Sequence, residues 1–382
     1  MRSNRFCLLL FLLLSFTSQS QPIGTVSIGS EHTLISRVLG EERHYFINLP
    51  ASYQKDEVYT DKKYPVLILL DADNNFRFAS SMIQFMSAGE TEQIPEMIVV
   101  AVVNTARTRD MTTGLGGQKD NFLTFLESEL LPQIDQQYRT LTYRVLVGHS
   151  LAGLFVLNCF LQQRAFQAYI AIDPTLTWGQ NAVIKKATPI LTSNQSVTST
   201  LFLAQANNPF EPGQHIGLRG NAFDTFRALL IGNQSKHLAH QYMFYPQENH
   251  YSVPLQSFRD GLLFVFNGYE FPIQTFLDQG RMSIVSHYKR FTERLGTFVL
   301  PPGKVINQMG HFLLQSQKQV DKALQLFKLN EEYYPHSVVT YNSLGEAYKL
   351  KGDKQTAIRY YEKSLALDTS NEKANKAIQE LK

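Results

Sequence analysis

Two regimes of apolar patterning divide this chain. In the first, short runs at 66–70, 97–103, 144–147, 168–172, 200–204 and 241–244 are almost continuously apolar, and stretches long enough for a helix separate them. Such runs read as strands, and their alternation with helical stretches is what a parallel sheet with crossover helices requires. Ahead of them, 33–38 and 44–48 alternate apolar with polar residues, which predicts an antiparallel hairpin at one edge. Beyond Phe271-Pro272 the spacing becomes helical: 284–295 predicts one helix, Pro301-Pro302-Gly303 breaks it, and two helix pairs follow. The pairs repeat. Ala323 and Ala357, Phe327 and Tyr361, and Pro335 and Thr369 are each 34 positions apart, whereas Gly310 and Gly345 are 35 apart, so the first unit carries one extra residue in its turn. The fold class predicted is α/β, a mostly parallel sheet with crossover helices, followed by a small all-α helical-repeat domain. Two units are fewer than the roughly three that stand alone, so they are expected to dock on the linker helix or on the α/β domain.

The junction at 143–161 carries candidate chemistry. The apolar run Tyr143-Arg144-Val145-Leu146-Val147 leads into Gly148-His149-Ser150-Leu151-Ala152-Gly153 and then into a helix-like stretch from Leu154 to Leu161. Strand, tight Gly-flanked turn with a serine, then helix is the nucleophile elbow of the α/β-hydrolase fold. The turn exposes the serine at the carboxyl end of the sheet, where a base can reach its hydroxyl and the next backbone N–H can face an oxyanion. Ala152 stands where the strict pattern has glycine, with Gly153 one place later.

In this fold the chain order is nucleophile, acid, histidine. His250 fits, in the polar loop after 240–244 and before the helical stretch 255–266, where an imidazole can act as general base on Ser150. The acid is expected in the loop after the 200–206 strand, Asn207-Asn208-Pro209-Phe210-Glu211-Pro212-Gly213, which makes Glu211 the first candidate. Asp224 is the second, although an acid near a helix start commonly serves capping and the helix dipole. A Ser-His pair without a dedicated acid is the third arrangement the sequence leaves open.

Composition narrows the classes. A formal net charge of +3 is too small to argue for a nucleic-acid partner, and 43% hydrophobic with 18% charged residues describes an ordinary globular chain. There is no Gly-rich phosphate loop and no His/Cys cluster at zinc spacing, so no cofactor and no metal is expected. Arg107 and Arg109 suit an anionic substrate or a salt bridge with Asp110; Trp178 suits a pocket wall or the core.

Taken together, these segments resemble the putative-esterase family of α/β-hydrolases, which includes esterase D-type enzymes, feruloyl esterases and siderophore esterases. The resemblance runs from about Ile23 to Tyr269. It rests on Pro65 to Asp73, on Asn104-Thr105-Ala106-Arg107-Thr108-Arg109-Asp110-Met111-Thr112, on Phe122 to Tyr138, on Gly148 to Phe155 and on Glu248 to Leu255. It implies Ser150 as nucleophile, His250 as base, and the backbone N–H of Leu151 with that of Ala72 or Asp73 as oxyanion donors. Ala72, like Ala152, departs from a family glycine. The C-terminal pattern, with Tyr341, Leu344-Gly345, Tyr348, Ala357 and Tyr361, resembles tetratricopeptide repeats. The expected activity is serine carboxylic-ester hydrolysis through an acyl-enzyme on a small-molecule ester, with siderophore, carbohydrate and simple thioester substrates all open. The alternative is a non-catalytic hydrolase-fold scaffold whose repeats bind a protein or peptide.

The amino end predicts export. Arg2 and Arg5 supply a basic n-region, 7–16 an apolar core, and Ser18-Gln19-Ser20 a small-x-small cleavage site. The apolar stretch is shorter than the roughly 20 residues a bilayer span needs, so no membrane span is expected after cleavage and the destination is periplasmic or secreted. Cleavage would leave Cys159 as the only cysteine, which excludes an internal disulfide. The expected organisation is a signal at 1–20, an esterase domain at 21–275, a helical linker at 276–303 and repeats at 304–382.

Overall fold

The computed structural model describes residues 26–382 apart from 56–61, 89–91, 118, 194–196 and 208–215. Among the described residues, eight strands form one sheet: β1 Ser30–Ser36, β2 Glu41–Asn48, β3 Tyr64–Leu69, β4 Ile98–Val102, β5 Thr140–His149, β6 Ala168–Ile172, β7 Ser199–Ala206 and β8 Leu238–Tyr245. Their order is β1-β2-β4-β3-β5-β6-β7-β8. The first two strands form the antiparallel edge hairpin, β2 runs antiparallel to β4, and all later neighbours are parallel. This is the mostly parallel α/β-hydrolase arrangement that the apolar runs predict.

The central runs are apolar because helices cover both faces there, whereas the edge strand β8 is mostly half-buried or exposed. In β3, Val66 and Ile68 face one core with the elbow helix Leu151–Gln162, while Leu67 and Leu69 face the other with the helices Ala72–Met86 and Val253–Val265. A pleated strand sends alternate side chains to opposite faces, so each face needs its own apolar residues.

The second of these cores does not end with the sheet. It passes through Tyr269, Phe276, Ile284, Tyr288 and Phe291 into Ile306, Leu313, Leu324, Phe327 and Leu344 of the C-terminal helices. The repeats therefore bury their apolar faces on the linker helix Arg281–Leu295 and on the α/β body. Within them, Gly310 and Gly345 are small because an aromatic ring occupies the space a side chain would need: a Cβ would lie 2.3 Å from Phe327 and 2.8 Å from Tyr361. A π-helical turn, Phe312–Ser316, closes the helix Gly303–His311. Its wider i→i+5 closure accommodates one residue more than an α-turn, which locates the extra residue of the first unit in the helix end rather than in the connecting turn. Among the described residues no helix is long and apolar enough to cross a membrane; the expected signal at 1–20 lies outside them.

Candidate active site

Strand register brings the site together. Leu69 pairs with Val147 across β3 and β5, and His149 pairs with Ile172 across β5 and β6. Ala72 and Ser150 thus each lie three residues beyond a paired position, and Ser150 and Asp173 each lie one beyond, at the same carboxyl edge of the sheet. Ligand and catalytic groups gather at this edge in open α/β sheets.

Ser150 sits at the elbow with φ 61° and ψ −119°, a conformation costly for any residue with a Cβ. It persists because its neighbours over-determine it. The Ser150 N–H donates to Ile172 O at 2.9 Å, and Ser150 O accepts from Leu154 N at 3.0 Å and Thr175 N at 3.2 Å. Glycine is required at 148, where a Cβ would meet Ala152 O at 2.5 Å, and at 153, where it would meet Ile172 O at 3.0 Å. Ala152 itself is fully buried without conflict, so the departure from the strict pattern leaves the elbow intact.

His250 Nε2 lies 3.0 Å from Ser150 Oγ, and His250 Nδ1 lies 2.6 Å from Asp173 Oδ2. Asp173 is completely buried, directly follows β6, and accepts the Ala206 N–H through Oδ1 at 3.0 Å. The second oxygen is thereby left facing the imidazole. The histidine loop is held by Asn249, whose Oδ1 accepts from Tyr251 N at 2.9 Å and Ser252 N at 3.1 Å, and by Asn207, whose N–H donates to Glu248 O at 2.8 Å. A serine hydroxyl bonded to an imidazole, itself bonded to a buried carboxylate, can transfer a proton from serine to histidine and back to a leaving group.

The acid at His250 is not the expected one. Glu211 lies outside the described residues, and Asp224 sits exposed on the helix Ile216–Gly232. The residue on the imidazole comes from one strand earlier than anticipated, because β6 and not β7 lies beside β5. A signal was present in Ile172-Asp173-Pro174: a carboxylate closing a fully apolar strand has to be buried at the sheet edge, and a buried carboxylate needs a partner.

His149 packs its ring 4.5 Å from that of His250. Burial, reinforced by the neighbouring His250, holds its pKa down to about 4, so it stays neutral beside the site. Leu151 and Ala72 are each the first residue of a helix, and both are buried. The first N–H groups of a helix have no intrahelical acceptor and favour negative charge.

The turn before Ala72 is fixed by charge. Asp71 adopts the left-handed conformation (φ 55°) and its carboxylate receives Arg107 Nε and Nη2 at 2.7 and 2.8 Å and Asn104 Nδ2 at 2.8 Å. Arg109 instead pairs with Glu41 and Asp110, and the buried Arg43 completes that cluster. Trp178 is partly exposed and joined through its N–H to Thr175 O at 3.1 Å, and Thr175 Oγ1 lies 3.4 Å from Ser150 Oγ. The exposed Tyr251 meets His250 edge-on at 5.4 Å. The Tyr251 ring thus flanks the site. Cys159 is fully buried in the elbow helix, and burial raises its thiol well above the ordinary range, so it is part of the core.

Known proteins resemble this chain in sequence and fold. Residues 36–209 match the family model described as "Putative esterase", and residues 305–370 match a tetratricopeptide-repeat model. Ferri-bacillibactin esterase BesA of Bacillus subtilis is 26% identical over 236 residues, 55% of this chain and 80% of that protein. An IroE-like serine hydrolase from Shewanella oneidensis superposes with a TM-score of 0.68 at 28% identity, covering 80% of this chain and 99% of that one. A protein from Capnocytophaga ochracea, 17% identical, shares the fold over 92% of this chain and 99% of its own length, with a TM-score of 0.61.

Proposed function

We propose that this chain, an esterase whose residues 36–209 match the putative-esterase family model, hydrolyses its ester through an acyl-enzyme on Ser150. His250 takes the serine proton through Nε2, Ser150 attacks the ester carbonyl, and the protonated imidazole then passes that proton to the departing alcohol. Water repeats the cycle and frees the acid. Asp173 holds the imidazole with its proton on Nδ1 and offsets the positive charge that develops on it. The backbone N–H groups of Leu151 and Ala72 face the tetrahedral oxyanion, in keeping with their places at two adjacent helix starts. The observation that carries this reading is the unbroken Ser150–His250–Asp173 chain of hydrogen bonds at 3.0 and 2.6 Å.

The substrate we propose is a siderophore-type ester, on the strength of the ferri-bacillibactin esterase likeness and of the exposed Tyr251 ring against His250. Export to the periplasm or medium is supported by the basic and apolar pattern of residues 1–20. We place the esterase domain at 21–275, the linker at 276–303 and the repeats at 304–382. The shared core supports a stabilising role for the repeats, and their family supports a protein partner besides.

The test is turnover of 4-nitrophenyl acetate and butyrate by the full chain and by Ser150→Ala. Loss of at least about a thousandfold in kcat is expected for the variant. Undiminished turnover by Ser150→Ala would remove Ser150 from the mechanism.

A further inference from the structure

A second cavity, of about 470 Å³, lies where the chain leaves the α/β body and enters the repeats. That volume is within the range of small-molecule sites, roughly 300–1,000 Å³. None of Ser150, Asp173 and His250 lines it. Its walls are apolar and soft, with Phe271, Val305, Met309 and Phe312 among them, and Phe312 is 48% exposed, which gives a ligand a route from solvent.

Its charged groups are both acidic: Glu92 and Glu270 line the cavity with the neutral Gln274, Tyr288 and Gln308, and the lining includes no lysine or arginine. Glu92 is only 5% exposed, and a long hydrogen bond from the Tyr269 hydroxyl, 3.3 Å, reaches it. The nearby Lys62 is committed to Glu96. Gln308 Oε1 is buried, and among the described residues nothing donates to it. Buried acceptors short of donors are costly, and the missing donor here is best supplied from the cavity itself. Acceptors beside aromatic and thioether walls suit a cation that carries an apolar body.

We propose that this cavity binds a small organic ammonium ion, its charged head on Glu92 and Gln308 Oε1 and its apolar body against Phe271, Val305 and Met309. The groups acting most on Glu92 are Lys62 and Lys304, which favour its ionised form, Glu96, which opposes it, and the Tyr269 hydroxyl, which favours it, while Glu270 and Tyr288 share the cavity wall. Burial outweighs the favourable contacts and raises the Glu92 carboxyl to about 7. An ammonium head stabilises the ionised carboxylate, so binding strengthens as pH rises through that range.

Calorimetric titration of the full chain with 2-phenylethylammonium tests this, with benzoate as an anion of similar bulk. A Kd below about 1 mM is expected at pH 8, about tenfold weaker at pH 6, with no measurable benzoate binding. Ser150→Ala keeps the affinity, because the ester site is elsewhere; this separates failure of the cavity from failure of the serine mechanism. Glu92→Gln weakens the amine at least about tenfold, and Met309→Trp, which fills the cavity, abolishes it. The proposal is overturned by silence of the wild-type chain up to about 10 mM amine, by benzoate binding as well as the amine, or by both variants retaining wild-type affinity.

Discussion

Replacing Asp173 by asparagine discriminates among the acids more sharply than any truncation. The side chain keeps its shape, and the Ala206 N–H at 3.0 Å continues to require an acceptor at the Oδ1 position. That requirement fixes the amide orientation: oxygen towards Ala206, NH₂ towards His250 Nδ1, which lies 2.6 Å from the oxygen it replaces. A donor at that place forces Nδ1 to accept, so the ring proton moves to Nε2. The nitrogen 3.0 Å from Ser150 Oγ then carries a hydrogen and cannot take the serine proton. An Asp→Asn change of this kind in a serine triad costs about 10⁴ in kcat, or about 5.5 kcal/mol of transition-state stabilisation. For Asp173→Asn the expectation is a loss of about 10³–10⁴ in kcat with KM within about threefold, measured on 4-nitrophenyl butyrate, and an unchanged circular dichroism spectrum. Glu211→Gln and Asp224→Asn should each stay within about threefold of wild type. A folded Asp173→Asn enzyme losing less than about tenfold would refute the tautomer argument, and a large loss in Glu211→Gln would move the acid to that residue.

Arg107→Gln removes the bidentate partner of Asp71. With the arginine side chain partly exposed, the stability cost is expected to be about 1 kcal/mol, but kcat should fall about tenfold at nearly constant KM, with partial rescue by Arg107→Lys. Equal kcat in Arg107→Gln would show that the turn before Ala72 needs no charge to hold it. A chain ending at residue 300 uncovers the core shared by Tyr288, Phe291 and the repeat helices. It should melt at least about 10 °C lower or aggregate, and it should bind a hydrophobic dye; a melt within about 2 °C of the full chain would make the repeats a dispensable appendage. Glu92 sets a pH dependence of stability. Its folded pKa of about 7 exceeds the ordinary 4.5, so the folded chain holds the extra proton. Its contribution is complete below about pH 4.5 and is lost as pH rises through 7, a change of roughly 3 kcal/mol. Glu92→Gln should flatten that slope in denaturation curves between pH 5 and 8 and be the more stable form at pH 8.

Local chemistry made much of this protein legible without coordinates. Doubly buried strands have to be apolar throughout, so the central strands announced themselves, and the alternating hairpin marked one sheet edge; β8, at the other edge, is mostly half-buried or exposed. Gly148, Ser150 and Gly153 were readable because backbone crowding at a strand-to-helix turn admits few residue types. His250 followed from chain order, and the 34-residue spacing exposed the repeats because helix pairs pack through small residues such as Gly345 at fixed intervals. What the sequence left open was adjacency. Carboxylates follow three strands, Asp71 after β3, Asp173 after β6 and Glu211 after β7, and nothing local says which of them meets His250; the placing of β6 beside β5 brings Asp173 there. The same holds for the pairing of Asp71 with Arg107, 36 positions away, and for the cavity around Glu92, whose walls come from segments more than 170 residues apart. Strand identity is set by residues a few positions away, which the sequence displays in order. Which carboxylate meets the imidazole, and which acceptors end up buried without donors, depends on how the sheet orders its strands, and only the folded chain settles that.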